Sequence, residues 1–413
     1  MVRRLCLPTA LLRAPLSLAF AVTASPTASP AQLAVRGATV HTMAGAAIAD
    51  GVVLIEDGRI TAVGPAGTVT IPEGYRTLTA DVVTPGLVDA HTSVGLAGIH
   101  NAPHDRDELD KTGPFQPELR AFDAYNPREP LVEYLRQLGV TTVHTGPAPL
   151  ATSGGQTMIA RTVGDTVEQA ARRPVAMVSF TLGPQVGAQF DSPGTRAKGV
   201  ALLRTEMVRA QEYGRKRGGK DADKRPDRDL RLEAVAQVLA GELPALVTAH
   251  RATEIEAALR LAREMGFRLV LDGAAEAYLL LDAIREAGVP VILHPTMVRP
   301  GGETRNAAFD TAARLHAAGI PFAISGGYEG YVPRARVVLF EAAVAAANGL
   351  PFDAALAAIT RDAAKILGVD DRVGSLEPGK DADLVLFDGD PFEFTTHVTG
   401  VVIDGKVVST EVR

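Results

Sequence analysis

The chain has 413 residues, of which 46% are hydrophobic and 22% are charged, and its formal net charge at pH 7 is −6. This length and composition indicate a globular protein with one large and one smaller domain, and the acidic balance excludes a protein that holds nucleic acid on a basic surface. The densest charge run, 214–229, mixes both signs with glycines and a proline, which is typical of a solvated loop. We therefore expect a small-molecule ligand and no nucleic-acid partner.

Residues 1–31 have the pattern of an export signal. Arg3 and Arg4 precede the apolar stretch 14–22, which runs into the small residues Thr23-Ala24-Ser25, and Val22-Thr23-Ala24 is the expected cleavage site. A basic start, a short apolar region and small residues before a cleavage site are the parts of a secretory signal peptide. The apolar stretch is too short to span a membrane. We predict a signal peptide and spacer, a mature protein that is periplasmic or secreted, and no membrane span after cleavage.

Both ends of the remaining chain have the pattern of β-hairpins. Residues 33–80 contain short apolar runs with a turn at Asp57-Gly58, and the last part of the chain repeats this pattern around Asp404-Gly405. Asp-Gly favours the two-residue turns that join antiparallel strands. Because neither end is long enough to form a stable sheet alone, we predict a small composite β-sandwich domain from residues 32–83 plus 371–413.

Between residues 84 and 370 strand and helix patterns alternate, which favours a parallel sheet covered by helices. The clearest example is a strand at 243–248, a helix at 254–265 and a strand at 267–271. The segment 153–163 is the exception, because it has the pattern of an inserted hairpin where a third strand is expected. Since the strands approach eight in number, we predict an α/β fold with a (β/α)8 TIM barrel, whose chemistry lies at the carboxyl ends of the strands.

The most informative motif ends the first predicted barrel strand and reads Pro85-Gly86-Leu87-Val88-Asp89-Ala90-His91-Thr92-Ser93. Residues two apart on a strand face the same side, so a His-x-His pair would direct two imidazoles at one metal ion. Here a serine stands at the second position, and zinc prefers imidazole, thiolate or carboxylate ligands. The motif leaves two interpretations of His91, a metal ligand or a buried histidine bonded to the backbone.

This motif and the stretches 139–143, 250–255, 269–278 and 374–385 resemble the imidazolonepropionase-like branch of the amidohydrolase superfamily. The resemblance covers nearly the whole mature chain and implies a divalent metal that activates water to attack a C–N bond other than a peptide bond. It also implies that His91 is the only retained ligand position. Other residues stand where the family has its further ligands, namely Ser93, Thr248, Gly273 and Gly327. By strand alternation we expect Asp272, the neighbour of Gly273, to face away from the pocket.

The missing ligands change the expected chemistry, because a catalytic zinc needs about three protein ligands and an open position. We therefore expect no cofactor, with zinc or another divalent metal as the alternative if the remaining histidines form a rebuilt site. The catalytic candidates are His91, His250 and His294. The substrate-binding candidates are His144, Arg251 and Arg299, with Arg305 as a further arginine that could hold a carboxylate. The alternative interpretation is that the histidines are independent polar residues of a pocket and that the arginines belong to exposed loops.

Three functions are consistent with this sequence. The first is an exported amidohydrolase that acts on small molecules with a depleted or rebuilt metal centre. The second is a non-catalytic small-molecule-binding protein that has lost hydrolysis. The third is a metal-independent hydrolase in which His91 or His250 is the general base. The sequence identifies no substrate and leaves a homo-oligomer open.

Overall fold

The computed structural model describes residues 32–100, 102–221, 223, 225–331 and 334–413, so the predicted signal segment 1–31 lies outside the described residues. The described chain has a mixed α/β fold. Its strands are β1 Leu33–Val40, β2 Ile48–Glu56, β3 Arg59–Pro65, β4 Arg76–Pro85, β5 Leu87–Thr92, β6 Val140–Thr145, β7 Gly155–Gln156, β8 Met158–Arg161, β9 Ala171–Arg173, β10 Val178–Thr181, β11 Ala245–Ala249, β12 Leu269–Gly273, β13 Val291–Leu293, β14 Phe322–Ile324, β15 Leu384–Phe387, β16 Val398–Ile403 and β17 Lys406–Ser409. Its α-helices are α1 Ala121–Ala124, α2 Pro130–Gln137, α3 Val167–Ala170, α4 Arg196–Arg217, α5 Leu230–Leu239, α6 Ala252–Met265, α7 Leu281–Ala287, α8 Thr311–Ala317, α9 Val338–Ala347, α10 Phe352–Ala358 and α11 Arg361–Leu367.

One sheet is built from both ends of the chain, and we call it the terminal sheet. Its strand order is β17-β16-β15-β4-β1-β2-β3. The predicted turns at Asp57-Gly58 and Asp404-Gly405 join β2 to β3 and β16 to β17, and all four turn residues have positive φ angles. The sequence predicted a sandwich, whereas the described strands form one continuous hydrogen-bonded sheet. The reason is that β15 pairs antiparallel with β4 and so joins the strands from the two ends directly.

The middle of the chain forms a six-stranded and a four-stranded sheet. Strands β10 to β14 are parallel neighbours, with β7 antiparallel to β10 at the edge. The smaller sheet has the order β5-β6-β8-β9, and a single parallel bridge between Thr92 and Gly327 connects β5 to the segment after β14. The segment 153–163 is not a hairpin, because β7 pairs with β10 and β8 pairs with β6. Its two strands therefore contribute one to each sheet.

The helices follow the sequence pattern with shifted ends. The helix predicted at 254–265 is α6, which begins two residues earlier and ends at Met265 as predicted. Gly266 caps this end, and its φ of 76° is the left-handed conformation that favours glycine. The loop predicted at 214–229 begins later than expected, because α4 continues to Arg217. The last turn of α4 carries basic side chains, which interact favourably with the negative end of the helix dipole. Within the described ranges, no helix is both long enough and apolar enough to cross a lipid bilayer.

The inner side of the six-stranded sheet has an apolar layer and a polar layer. Four of its strands each contribute one residue to a single buried cluster: Leu246, Val270, Ile292 and Ala323. The residues two positions further along face the same side and form the polar layer: Thr248, Asp272, His294 and Ser325. Because these strands are parallel, the polar layer lies at their carboxyl ends.

Candidate active site

The polar layer borders a cavity of about 90 Å3, which we call the histidine pocket. Such a volume accommodates a few water molecules or the reacting group of a small substrate. The polar side chains that line it come from the ends of several strands and from the loops that follow them: His91, Thr92, Ser93, Thr248, His250, Asp272, His294, Thr304, Ser325 and Tyr328. The structure therefore brings together all three histidines predicted to be catalytic.

A hydrogen-bonded chain runs along one wall of the histidine pocket. Asp272 Oδ1 lies 2.9 Å from His91 Nδ1, and Asp272 Oδ2 accepts a hydrogen bond of 2.5 Å from the Thr248 hydroxyl. Burial disfavours both charges, yet the charge and hydrogen bond of each partner outweigh it, so the pKa of His91 is raised and the pKa of Asp272 is lowered. A carboxylate only accepts hydrogen bonds, so His91 donates from Nδ1. This bond leaves His91 Nε2 as the nitrogen for chemistry in the pocket.

The other two histidines of the pocket are held neutral by burial. The pKa of His294 is lowered to about 4, and the pKa of His250 is also lowered. His294 Nδ1 donates to the carbonyl of Pro295 at 2.6 Å, so its Nε2 is an acceptor. That atom and His250 Nδ1 are buried without a hydrogen-bond partner. Together they can orient a water molecule or a substrate N–H group.

The residues predicted to bind substrate lie elsewhere. His144 is fully buried outside the lining of the histidine pocket, and both its ring nitrogens are engaged, Nδ1 by the carbonyl of Ala90 at 2.7 Å and Nε2 by the hydroxyl of Thr157 at 2.6 Å. Burial lowers the pKa of His144 to about 3, so this residue is a neutral support beneath the site.

The three arginines predicted to hold a carboxylate do not line the histidine pocket either. Arg251 forms an ion pair of 2.7 Å with Glu276, and the Arg299 guanidinium lies 3.9 Å from the ring centroid of Tyr331. Arg305 is exposed. The structure does not place these three side chains on a common carboxylate.

The prediction that Asp272 faces away from the pocket is wrong. Val270 packs in the same inner cluster as Leu246 and Ile292, so alternation directs Asp272, two residues later, into the pocket. The sequence alone could not give this result, because Leu269, Val270 and Leu271 are all apolar and no alternation marks the inner face of β12. Thr248, which the sequence places at a lost ligand position, donates its hydroxyl hydrogen to Asp272.

The described side chains do not fit a divalent metal in this pocket. Both oxygens of Asp272 are already engaged, and a Cβ atom at Gly273 would lie 2.5 Å from the ring of His250. His250 therefore occupies the space that a ligand side chain at position 273 would need. Throughout the part of the chain that the structure describes, no group of three or more His, Cys, Asp or Glu side chains is placed to hold a metal ion.

Comparisons with known proteins agree with this fold. The structure matches the crystal structure of an amidohydrolase from Thermotoga maritima MSB8 with a TM-score of 0.85 and 29% identity, covering 92% of this chain and 100% of that one. The chain therefore has the fold of an amidohydrolase. The model of the amidohydrolase family matches residues 205–409.

Two curated relatives refine the assignment. An imidazolonepropionase from Rhizorhabdus wittichii is 29% identical over 390 residues, covering 86% of this chain and 92% of that protein. Amidohydrolase tasK from Hapsidospora irregularis is 27% identical over 403 residues, which cover 86% of this chain but only 39% of tasK. The chain belongs to the amidohydrolase superfamily, in its imidazolonepropionase-like branch, and the resemblance found in the sequence is confirmed.

Proposed function

We propose that the protein hydrolyses C–N bonds other than peptide bonds in small molecules, with His91 as a metal-independent general base. The family supports the reaction class, since its named relatives include imidazolonepropionases. The observation that supports the mechanism is the contact of His91 with Asp272, at 2.9 Å, in a pocket whose described residues do not fit a metal.

We also propose that the two middle sheets form the (β/α)8 barrel of this family, with domain limits at residues 84 and 370. The bridge between Thr92 and Gly327 supports closure, because it joins β5 of the smaller sheet to the end of β14 in the larger one. Tertiary barrel closure would explain why the polar layer converges on one small cavity.

In the proposed reaction, His91 Nε2 removes a proton from a water molecule as the water oxygen bonds to the substrate carbon. Asp272 keeps His91 in the required tautomer and stabilises the imidazolium that forms, as a carboxylate does beside a catalytic histidine. The proton on Nε2 then passes to the leaving nitrogen as the C–N bond breaks, which restores neutral His91. The Ser93 hydroxyl is buried without a partner and would donate to the oxygen that becomes negative.

The test is hydrolysis of cyclic amides, ureas and imidazolones by protein dialysed against a chelator. We expect turnover to fall about 100-fold or more in Asp272→Asn and His91→Asn, since general base catalysis contributes about 10²–10⁴-fold. Asp282→Asn, in an exposed ion pair with Arg285, is the matched control and should keep full activity. Because the pKa of His91 is raised, kcat/KM should rise with pH and level off above the ordinary imidazole value of about 6.5.

An activity that disappears with the chelator and returns with zinc would contradict the metal-independent base. A second function, non-catalytic binding of a small molecule, is favoured by the same misfit to a metal. It predicts that wild-type protein and His91→Asn bind a compound from the panel with similar affinity and that neither converts it.

We further propose that the protein is exported, on the evidence of Arg3, Arg4 and the apolar stretch that follows them. Amino-terminal sequencing of the protein from its native host should find a chain that starts near Ser25 or later. Recovery of the chain with Met1 intact would count against export.

A further inference from the structure

We propose that an acidic cavity beside the histidine pocket binds a protonated nitrogen of the substrate, so that the substrate is a small organic cation; its catalytic meaning rests on the proposed function. This acidic cavity has a volume of about 290 Å3. Its charged lining residues are five carboxylates and one arginine: Asp107, Glu108, Asp110, Glu118, Asp123 and Arg120.

The arginine does not neutralise this lining. Arg120 donates to both oxygens of Asp123, at 2.8 and 2.6 Å, so a single carboxylate takes up its charge. Asp110 is held by the hydroxyl of Thr112 at 2.5 Å, which is a neutral partner. Arg106 and Arg231 lie outside the lining and pair with Glu108 at 3.4 Å and with Glu118 at 3.2 Å. Because five carboxylates face three guanidinium groups, the cavity keeps an excess of negative charge, which attracts a cation.

Glu108 carries the strongest sign of a missing ligand. The residue is only 2% exposed, and its Oε2 is buried without a hydrogen-bond partner. Its Oε1 has only long contacts, 3.4 Å to Arg106 Nε and 3.5 Å to the Tyr328 hydroxyl. A buried carboxylate oxygen without a donor is costly, so a ligand that donates a hydrogen bond there would bind favourably.

A second carboxylate of the same cavity also has an oxygen without a hydrogen-bond donor. Glu118 Oε2 is also buried without a partner, whereas its Oε1 accepts from Arg231 Nε at 3.2 Å. Two carboxylates that each have one oxygen without a hydrogen-bond donor suit a ligand with several N–H donors, and an ammonium group offers three. The described carboxylates form no group placed to hold a metal ion, which favours an organic cation over a metal.

The acidic cavity adjoins the site of the proposed reaction. Pro147 lines both the acidic cavity and the histidine pocket. Glu108 also lines a cavity of about 560 Å3 whose wall includes Tyr328, and Tyr328 in turn lines the histidine pocket. A substrate with its cationic nitrogen near Glu108 can thus extend its reacting group toward His91.

The experiment measures equilibrium binding by calorimetry with two probes, 4-aminobutyramide, which carries an ammonium group, and its neutral N-acetyl derivative. We expect the cation to bind at least tenfold more tightly to the wild type, and we expect Glu108→Gln to weaken its binding about tenfold or more, as for the loss of a charged hydrogen bond. Glu256→Gln, which alters an exposed ion pair with Arg260, is the matched control and should bind like the wild type.

The same titrations in His91→Asn keep this question apart from catalysis, because this variant should lose turnover and still prefer the cation. A wild-type protein that prefers the cation but hydrolyses no compound of the panel would uphold the cavity and reject the hydrolase. If Glu108→Gln does not fold by circular dichroism, Glu118→Gln is the second variant and should also weaken binding of the cation. Equal affinity for the two probes would overturn the proposal. So would stoichiometric binding of Mg²⁺ or Zn²⁺ that either substitution abolishes.

Discussion

The contact between the terminal sheet and β9 differs sharply from the histidine pocket in how its buried polar groups are satisfied. At that contact Arg172 forms ion pairs with Asp381 and Asp383, the latter at 2.6 Å, and Asp381 also lies 2.7 Å from both Arg59 and Arg372. The charges that cross from one part of the chain to the other are all opposed by partners, although the Nε atom of Arg172 is itself buried without a hydrogen-bond acceptor.

In the histidine pocket, by contrast, Ser93 Oγ, His250 Nδ1 and His294 Nε2 are buried without partners. A buried polar atom without a hydrogen bond costs about 1–3 kcal/mol. The comparison indicates that the paired groups hold the fold together, while the pocket retains unused hydrogen-bonding capacity for a ligand.

The largest expected effect concerns the paired region. Arg172→Ala should lower the free energy of unfolding by about 3–5 kcal/mol, because it leaves the buried Asp381 and Asp383 without their shared cation. Urea denaturation measures this change. Arg204→Ala, which removes an exposed pair with Glu264, is the control and should cost less than about 1 kcal/mol. If both variants lose the same free energy of unfolding, the buried ion pairs of Arg172 stabilise the fold no more than an exposed pair does.

The second effect concerns Asp89, a buried carboxyl group on β5 two residues before His91. Burial raises its pKa to about 7, although the backbone N–H groups of Gly326 and His91 donate to it. A raised acid pKa means that the native state holds its proton where the unfolded state has lost it, so wild-type stability falls as pH rises from about 4 to about 7.

Asp89→Asn resembles the protonated acid and should escape this loss. The stability advantage of the variant over the wild type should grow across that pH range, by up to about 4 kcal/mol at about 1.4 kcal/mol per pKa unit. Denaturation curves at closely spaced pH values would measure the difference. A difference that does not change with pH would show that Asp89 is charged in the native protein at pH 4 to 7.

A third effect tests whether His250 has packed into space beside β12. Gly273→Ala should destabilise the protein by about 1–3 kcal/mol, because its Cβ would meet the His250 ring at 2.5 Å and its φ is 77°. Gly266→Ala is the matched control, with a φ of 76° and no atom within 4 Å of the added Cβ. The excess cost of Gly273→Ala should disappear in a His250→Ala background, as a double-mutant cycle would reveal.

The smallest expected effect is none at all. Removal of divalent metals with a chelator should leave the melting temperature unchanged, because the described side chains offer no metal site. Elemental analysis of protein purified without chelator should find well under one equivalent of zinc, manganese or iron. If stoichiometric metal is found and both His91→Ala and His250→Ala abolish it, the histidines form a rebuilt site and the pocket binds metal after all.

Local sequence signals determined several parts of this protein. Asp57-Gly58 and Asp404-Gly405 specify turns because Asp and Gly tolerate positive φ angles. The motif around His91 predicted the superfamily that the comparisons support. The three histidines that reach the pocket could be named because each ends or follows a strand, where the chain delivers side chains to one edge of a sheet.

Only the tertiary structure decided which of these side chains meet. Asp272 and His91 are 181 positions apart, and their contact depends on how β5 and β12 are placed. The same is true of the way β7 and β8 divide between two sheets and of the partners that hold Arg251 and His144. The sequence did not predict that Glu108 is buried with one oxygen that lacks a hydrogen-bond donor, because there it is one acidic residue among many. Periodicity reports which face of an element a residue occupies, whereas burial and hydrogen-bond partners depend on the elements that pack against that face.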